Sequence, residues 1–194
     1  MLRLLDVCFS FIGLILLIPL FLVISICIKC DSKGPVFYFQ KRVGLAGIQF
    51  NLLKFRTMRP DSDKLGLLTV GGRDPRITNI GFHLRKYKID ELPQLINVLI
   101  GDMSLVGPRP EVKKYVDLYD QEQLKVLTVR PGITDDASVF FKNENEMLAN
   151  STDPERTYIR EIIPHKILLN QNFIENPSVI NYFRIIIKTI ICAI

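Results

Sequence analysis

Charge is missing from one long stretch of this chain: residues 7–28, VCFSFIGLILLIPLFLVISICI, contain no acidic or basic side chain. About 20 apolar residues are enough to cross a bilayer as a helix, so this stretch is unsuited to the core of a soluble domain. No small-residue cleavage site precedes Lys29, and the run exceeds the roughly 7 to 15 apolar residues of a secretory signal, so that reading fits poorly. Cysteine is scarce as well. Cys8, Cys27, Cys30 and Cys192 all lie in or beside apolar stretches, not in the spaced framework of a small disulfide-rich domain, and reduced thiols are expected. Cys27 and Cys30 form a C-x-x-C, but no second Cys or His pair stands at zinc spacing, so the motif is read as incidental. Neither an internal repeat nor a low-complexity linker divides the 194 residues, a length that favours one domain.

What is present begins with a formal charge of +5, which directs any excess attraction toward phosphates, anionic lipids or nucleic acid. Pro19 sits in the middle of the apolar stretch, where it removes a backbone hydrogen bond and tends to kink a helix. Arg3 precedes the stretch, and Lys29, Lys33, Lys41 and Arg42 follow it, so the positive-inside rule gives no clean orientation. A helix that enters the membrane, bends at Pro19 and returns to the same face explains both features, and a straight span remains open. At the other end, VINYFRIIIKTIICAI (179–194) carries only Arg184 and Lys188, four residues apart on one helical face. This pattern predicts an amphipathic helix in the membrane interface, its two cations snorkelling to headgroups; a core helix docked on the domain is the alternative.

Between these ends the pattern is globular. Residues 35–58 read as two β-rich runs around Gly44-Leu45-Ala46-Gly47, a hairpin with a glycine loop. Residues 29–59 carry seven basic side chains and one acid, Asp31. A nucleic-acid surface is not favoured there, because no recognisable DNA or RNA module accompanies the charge. Residues 59–75 read as an irregular connection. Residues 77–88 place Ile77, Ile80, Leu84 and Tyr87 at helical spacing, with Arg85, Lys86 and Lys88 near the end. Residues 135–161, with seven acids against three bases, are expected to be a solvated surface.

KIDELPQ (88–94) sets Asp90 and Glu91 side by side before a proline. Leu92, Leu95, Ile96 and Leu99 form one stripe, predicting a helix that Gly101 ends. Pro93 belongs in its first turn, which puts Asp90 near the N-cap and Glu91 at the first helical position. Such acids are ordinary stabilising choices. The same position would keep a carboxylate ionised and attract phosphate, making Asp90 a possible nucleophile. A glycosidase pair is excluded, because neighbours on a helix point about 100° apart and do not face each other across a sugar ring. One carboxylate attacking phosphorus while the other holds Mg²⁺ is the more natural division. Arg85 and Arg109 are the candidate anion partners. Arg109 is clamped between Pro108 and Pro110 and is equally suited to a structural salt bridge.

KFRTM (54–58), LRKYKIDELPQLINVLIGDMSLVGPRPE (84–111) and RPGIT (130–134), together with the preceding apolar helix, resemble the bacterial sugar transferases known as monotopic phosphoglycosyl transferases. The resemblance implies an α+β, mainly helical fold with a re-entrant membrane helix bent at Pro19 (1–30), a cytoplasm-facing catalytic domain with a small hairpin (31–178) and the interfacial helix (179–194). It further implies residence at the cytoplasmic face of a bacterial inner membrane, and transfer of a phosphosugar from a UDP-sugar to polyprenol phosphate, with Mg²⁺ required. Asp90 would attack the sugar-linked phosphate, Glu91 would hold the Mg²⁺, and Arg85, Arg109, Lys54, Arg56 and Arg130 would surround the phosphates. Two departures stand out. Ile18 precedes Pro19 where many members have serine, and DDASVFFKNENEML (135–148) replaces a stretch that often contains tryptophan, of which this chain has none. The donor sugar therefore cannot be borrowed from better-known members, and a catalytically silent membrane scaffold is the alternative function. Membrane lipids are expected partners, nucleic acid is not, and a homo-oligomer stays open.

Overall fold

In a computed structural model, described over residues 1–60, 62 and 74–193, the fold is α+β and mainly helical, laid along one long N-terminal helix. This helix, α1 (Leu2–Asp31), runs for 30 residues with Pro19 inside it, about 45 Å if straight. One side faces the rest of the fold at both ends: Asp6, Ser10, Ile24 and Ile28 are buried. The opposite side is apolar and exposed through Leu16, Leu22, Val23 and Ile26. Arginines tie both ends down. Arg3 donates to the carbonyls of Val98 (2.6 Å) and Leu99 (3.0 Å), at the C-terminal end of α3 (Gln94–Ile100). Arg56 does the same for α1, donating to the carbonyls of Ile28 (3.4 Å), Ser32 (2.8 Å) and Lys33. Cations are favourable against the open carbonyls of a helix C-terminus.

The predicted hairpin is present. β1 (Phe37–Val43) pairs antiparallel with β2 (Gln49–Phe55), from Phe37 opposite Phe55 to Val43 opposite Gln49. Phe55, at the end of β2, is buried with Ile24, Ile28 and Leu84, so the hairpin seats against the C-terminal half of α1. α2 (Asn79–Lys86) is N-capped by Thr78, whose Oγ1 accepts from Gly81 N at 3.0 Å. A Cβ on Gly81 would lie 2.1 Å from Thr57 O, so only glycine lets α2 cross the chain just beyond β2 so closely. The predicted helix after the Asp-Glu pair is α3, closed by Gly101 in the left-handed region (φ 105°).

Sequence patterning did not reveal a second sheet, in which β3 (Ser104–Val106) and β4 (Gly132–Thr134) run parallel. Gly107 and Gly132 meet beside it: a Cβ on Gly132 would fall 2.1 Å from Gly107 N. Beyond lie the short helices α4 (Lys113–Val116), α5 (Asp136–Phe140), α6 (Glu144–Ala149) and α7 (Pro154–Thr157). A π turn, Tyr158–Ile162, then leads into α8 (Ile163–Glu175). Phe141, Leu148, Tyr158 and Ile162 pack together at their centre.

α9 (Val179–Ala193) docks through Tyr182 and Ile185, which are buried with Val106 and Phe173, while Ile180, Ile187 and Ile191 are exposed. Arg184 and Lys188 do not extend outward as expected. Both pair with Asp136, at 3.0 and 2.8 Å, because the start of α5 brings a half-buried carboxylate under this face of α9. The Tyr182 hydroxyl donates to Asp6 Oδ1, which also accepts from Ser104 Oγ and Leu105 N, each at 2.9 Å; α1, β3 and α9 thus meet on one buried carboxylate. The irregular connection expected over 59–75 lies largely outside the described residues.

Candidate active site

Lys88 adopts a left-handed conformation (φ 55°) after α2, and Ile89–Glu91 forms a single 3-10 turn. Leu92 N donates to Ile89 O (3.2 Å) and Leu95 N to Leu92 O (3.1 Å), so three-residue bonds tighten the chain here. α3 therefore begins only at Gln94, with Pro93 in the N-cap position. The expected placement of Asp90 at the N-cap and Glu91 at the first helical position is corrected: both acids belong to the turn that precedes the helix.

The two carboxylates have opposite surroundings. Glu91 accepts a two-pronged contact from Arg109, Nη1 to Oε2 at 3.0 Å and Nη2 to Oε1, and Lys54 Nζ lies 3.0 Å from the same Oε1. These cations hold the Glu91 carboxyl well below the usual range despite its burial, which opposes them. Desolvation in turn lowers Lys54. Asp90 is buried, and its Oδ1 has no hydrogen-bond partner. Burial first, and the Glu91 charge second, push its carboxyl up to about 6, while Lys54, Arg85 and Lys88 pull it back. The helix-end argument for a firmly ionised Asp90 thus loses to burial and to its own neighbour. A carboxylate with this value is largely ionised near neutrality and has a lone pair committed to nothing.

These groups open into one cavity of about 790 Å³, lined by twice as many basic as acidic side chains, a balance that suits an anionic ligand. Lys54, Arg85, Asp90, Glu91 and Arg109 all line it. Arg56 also reaches its wall, but both terminal nitrogens of its guanidinium are spent on the carbonyls at the end of α1. Arg130 stands apart, with Nε on Gly101 O at 3.1 Å, and the cavity does not include it. What the RPGIT segment gives the site is backbone. Gly132 N donates to Pro108 O and Gly107 N to Thr134 O, both at 3.0 Å, fixing the loop that presents Arg109.

The acidic stretch expected to be a solvated surface contributes directly. Asp135 is buried, its Oδ2 accepting from Arg109 N (2.9 Å) and Asn170 Nδ2 (2.7 Å), and Asn170 Oδ1 is left without a partner. Local charge density marked the stretch as polar, but the Arg109 loop and α8, distant in sequence, both bond to the buried Asp135 carboxylate. Among the described residues, no group of three or more His, Cys, Asp or Glu side chains could hold a metal ion. Mg²⁺ needs no such group when one or two carboxylates act with substrate phosphates. Asp90 Oδ1 is unpartnered and Glu91 could exchange a contact with Lys54 or Arg109, so the pair fits a cation that arrives with a diphosphate.

A family model described as bacterial sugar transferase matches residues 1–194. The chain belongs to the bacterial sugar transferase family. Its similarity to other sugar transferases is substantial. It is 45% identical over 120 residues, 62% of this chain and 67% of the relative, to a Bacillus subtilis protein named as an undecaprenyl-phosphate N-acetylgalactosaminyl 1-phosphate transferase. Over 137 residues it is 43% identical to the UDP-N-acetylgalactosamine-undecaprenyl-phosphate N-acetylgalactosaminephosphotransferase of Aeromonas hydrophila, covering 69% of this chain and 32% of that one. The UDP-glucose:undecaprenyl-phosphate glucose-1-phosphate transferase of Caulobacter vibrioides is 43% identical over 140 residues, 71% of this chain and 52% of its own length.

Proposed function

We propose that this sugar transferase moves a sugar phosphate from a UDP-sugar to undecaprenyl phosphate through a covalent intermediate on Asp90. The observation that carries the reading is the buried Asp90 carboxylate, with Oδ1 unpartnered, in a basic cavity beside a Glu91 already neutralised by Arg109 and Lys54. The names of the relatives support the donor and acceptor. An Asp90 oxygen attacks the phosphorus that bears the sugar, and the bond to the bridging oxygen breaks, releasing UMP with the electron pair. An oxygen of the acceptor phosphate then attacks the same phosphorus, and Asp90 leaves as a free carboxylate. Lys54, Arg85 and Arg109 orient the diphosphate and offset its charge. Glu91 would hold Mg²⁺ beside the diphosphate, and that ion would supply further neutralisation of the leaving phosphate.

The same proposal places the enzyme on one face of a membrane, at the cytoplasmic side of the bacterial inner membrane. By length and composition α1 could cross a bilayer, yet Arg3 near its start and residues 28–33 at its end both bond to the domain. A helix held at both ends by one domain, with an apolar outer side, is better suited to dipping in and returning than to spanning. Mass spectrometry tests the chemistry. Protein incubated with a panel of UDP-sugars in Mg²⁺ should gain one phosphosugar mass on Asp90 with release of UMP, and Asp90→Asn should gain none. An active Asp90→Asn enzyme would refute the nucleophile, and a wild-type protein inert toward every donor would favour the silent scaffold.

A further inference from the structure

One wall of the cavity is a single stripe of α8. Ile163, Lys166, Ile167 and Asn170 recur at three- and four-residue spacing on that helix, and all four line the cavity. Hydrogen bonds fix where this stripe stands relative to the Asp-Glu pair. Arg109 grips Glu91 with its guanidinium, and its backbone N donates to Asp135 Oδ2 at 2.9 Å. The same oxygen accepts from Asn170 Nδ2 at 2.7 Å, so one carboxylate joins the Arg109 loop to α8. Lys166 lies one turn back, about 6 Å along the helix axis. It is 2.5 Å from Glu144 Oε2 and 5.0 Å from the centre of the Tyr158 ring, and both of those residues also line the cavity. Asp135 and Glu144 belong to 135–148, the stretch that departs from the common form of the family.

Asn170 is 3% exposed and only half satisfied. A carboxylate only accepts, so the amide nitrogen must face Asp135, and Oδ1 is turned away from it, where it meets no donor among the described residues. A buried acceptor left unpaired is costly, and only an N–H or O–H can satisfy it. The diphosphate of a nucleotide sugar cannot do so, because its oxygens are acceptors as well. We propose that Asn170 is a specificity-determining residue of the donor site: its Oδ1 accepts a hydrogen bond from a hydroxyl or acetamido N–H of the donor's sugar, whose ring lies along α8 between Asn170 and the Lys166–Glu144 pair. The inference rests on the proposed transfer reaction. The sugar is favoured over the nucleoside because it is attached to the phosphorus that Asp90 attacks, whereas the nucleoside stands one phosphate further from Asp90 and from the Arg109 loop that Asn170 adjoins.

Analogues of the sugar test this in the full-length protein in detergent or nanodiscs. The UDP-sugar that gives most Asp90 adduct is compared with its deoxy or des-acetamido analogues, one ring position at a time, in the wild type and in Asn170→His. A histidine can donate from Nδ1 to Asp135 while a carbon takes the place of Oδ1, so the link to the Arg109 loop is kept and the acceptor is lost. In the wild type one analogue should lose at least about tenfold in kcat/KM for UMP release. Asn170→His should lose a similar factor with the complete donor, and its own loss on going to that analogue should shrink to about twofold or less, the non-additivity expected of two groups in contact. Affinity for UMP, measured by calorimetry, should stay within about twofold, which also shows that the variant is folded. Equal use of every analogue by the wild type, or losses that simply multiply at every position, would overturn the assignment. A large loss of UMP affinity in a variant whose Tm is unchanged would overturn it too, by putting the nucleoside against Asn170. If the wild type forms no adduct with any donor, the transfer reaction itself fails, and calorimetric binding of the same UDP-sugars judges the pocket. Selective binding that Asn170→His flattens then supports the assignment, and unselective or absent binding overturns it.

Discussion

Replacing the proposed nucleophile should make the protein more stable. Burial and the neighbouring Glu91 raise the Asp90 carboxyl from its ordinary value of 3.8 to about 6, and each unit corresponds to about 1.36 kcal/mol of differential interaction. The folded state therefore gives up about 3 kcal/mol to keep Asp90 ionised. Because the folded value lies above the unfolded one, this cost is absent below the unfolded value and complete above about 6. Asn has nearly the same shape and no charge, but its amide needs a partner beside the unpartnered Oδ1 position, at about 1 kcal/mol. The net gain for Asp90→Asn is then about 2 kcal/mol at pH 8, or roughly 4–8 °C in Tm for a chain of this size. Thermal and denaturant melts of both proteins in the same detergent, at pH 8 and near pH 4, provide the measurement. The gain should disappear at the lower pH, and transfer by the wild type should fall as pH drops through about 6. A variant less stable than wild type at pH 8, or equally stabilised at both pH values, would refute the electrostatic account of Asp90.

Glu91→Gln should do the opposite, lowering stability by about 3 kcal/mol or more, because it strands the Arg109 and Lys54 charges in a buried site; since the Glu91 carboxyl is depressed, the wild-type advantage should persist at neutral pH and be lost only as pH falls well below the ordinary carboxylate range. Arg56→Ala should cost about 2 kcal/mol by releasing the carbonyl cap of α1, while the affinity for UMP, measured by calorimetry, stays within about twofold. A large loss of UMP affinity would restore Arg56 to the phosphate site. Gly132→Ala should abolish folding or activity, read by circular dichroism and adduct formation, since its Cβ would meet the Gly107 backbone at 2.1 Å.

Local pattern carried the sequence reading a long way wherever a residue's role is decided by its neighbours in the chain. The hairpin around Gly44 to Gly47, the helix closed by Gly101 and the long apolar helix all follow from periodicity and glycine placement. Lys54, Arg85, Asp90, Glu91 and Arg109 do line one cavity. Roles decided by distant contacts were not legible. Arg3 and Arg56 read as flanking and phosphate-binding charges because nothing local says that each will meet a helix C-terminus far away in sequence. Asp135 read as surface because its buried partners, Arg109 N and Asn170, lie far away in sequence. The upward shift of the Asp90 carboxyl was not legible for a related reason: a helix-end field can be inferred from a proline, whereas desolvation by a folded cavity cannot.

The contacts that hold α1 also explain why the chemistry sits beside that helix. β2 places Lys54 on Glu91 and, two residues later on the same side of the chain, Arg56 on the end of α1. α3 follows the turn carrying Asp90 and Glu91, and its other end is held by Arg3 from the start of α1. Each end of the apolar helix is thus fastened to an element that also positions a charged group of the cavity. If α1 dips into the membrane and returns, the depth of that dip sets the height of Asp90 above the headgroups. Loosening either arginine cap should then impair transfer to the lipid acceptor more than formation of the Asp90 adduct, because only the second step requires the site to meet a phosphate held at the membrane surface.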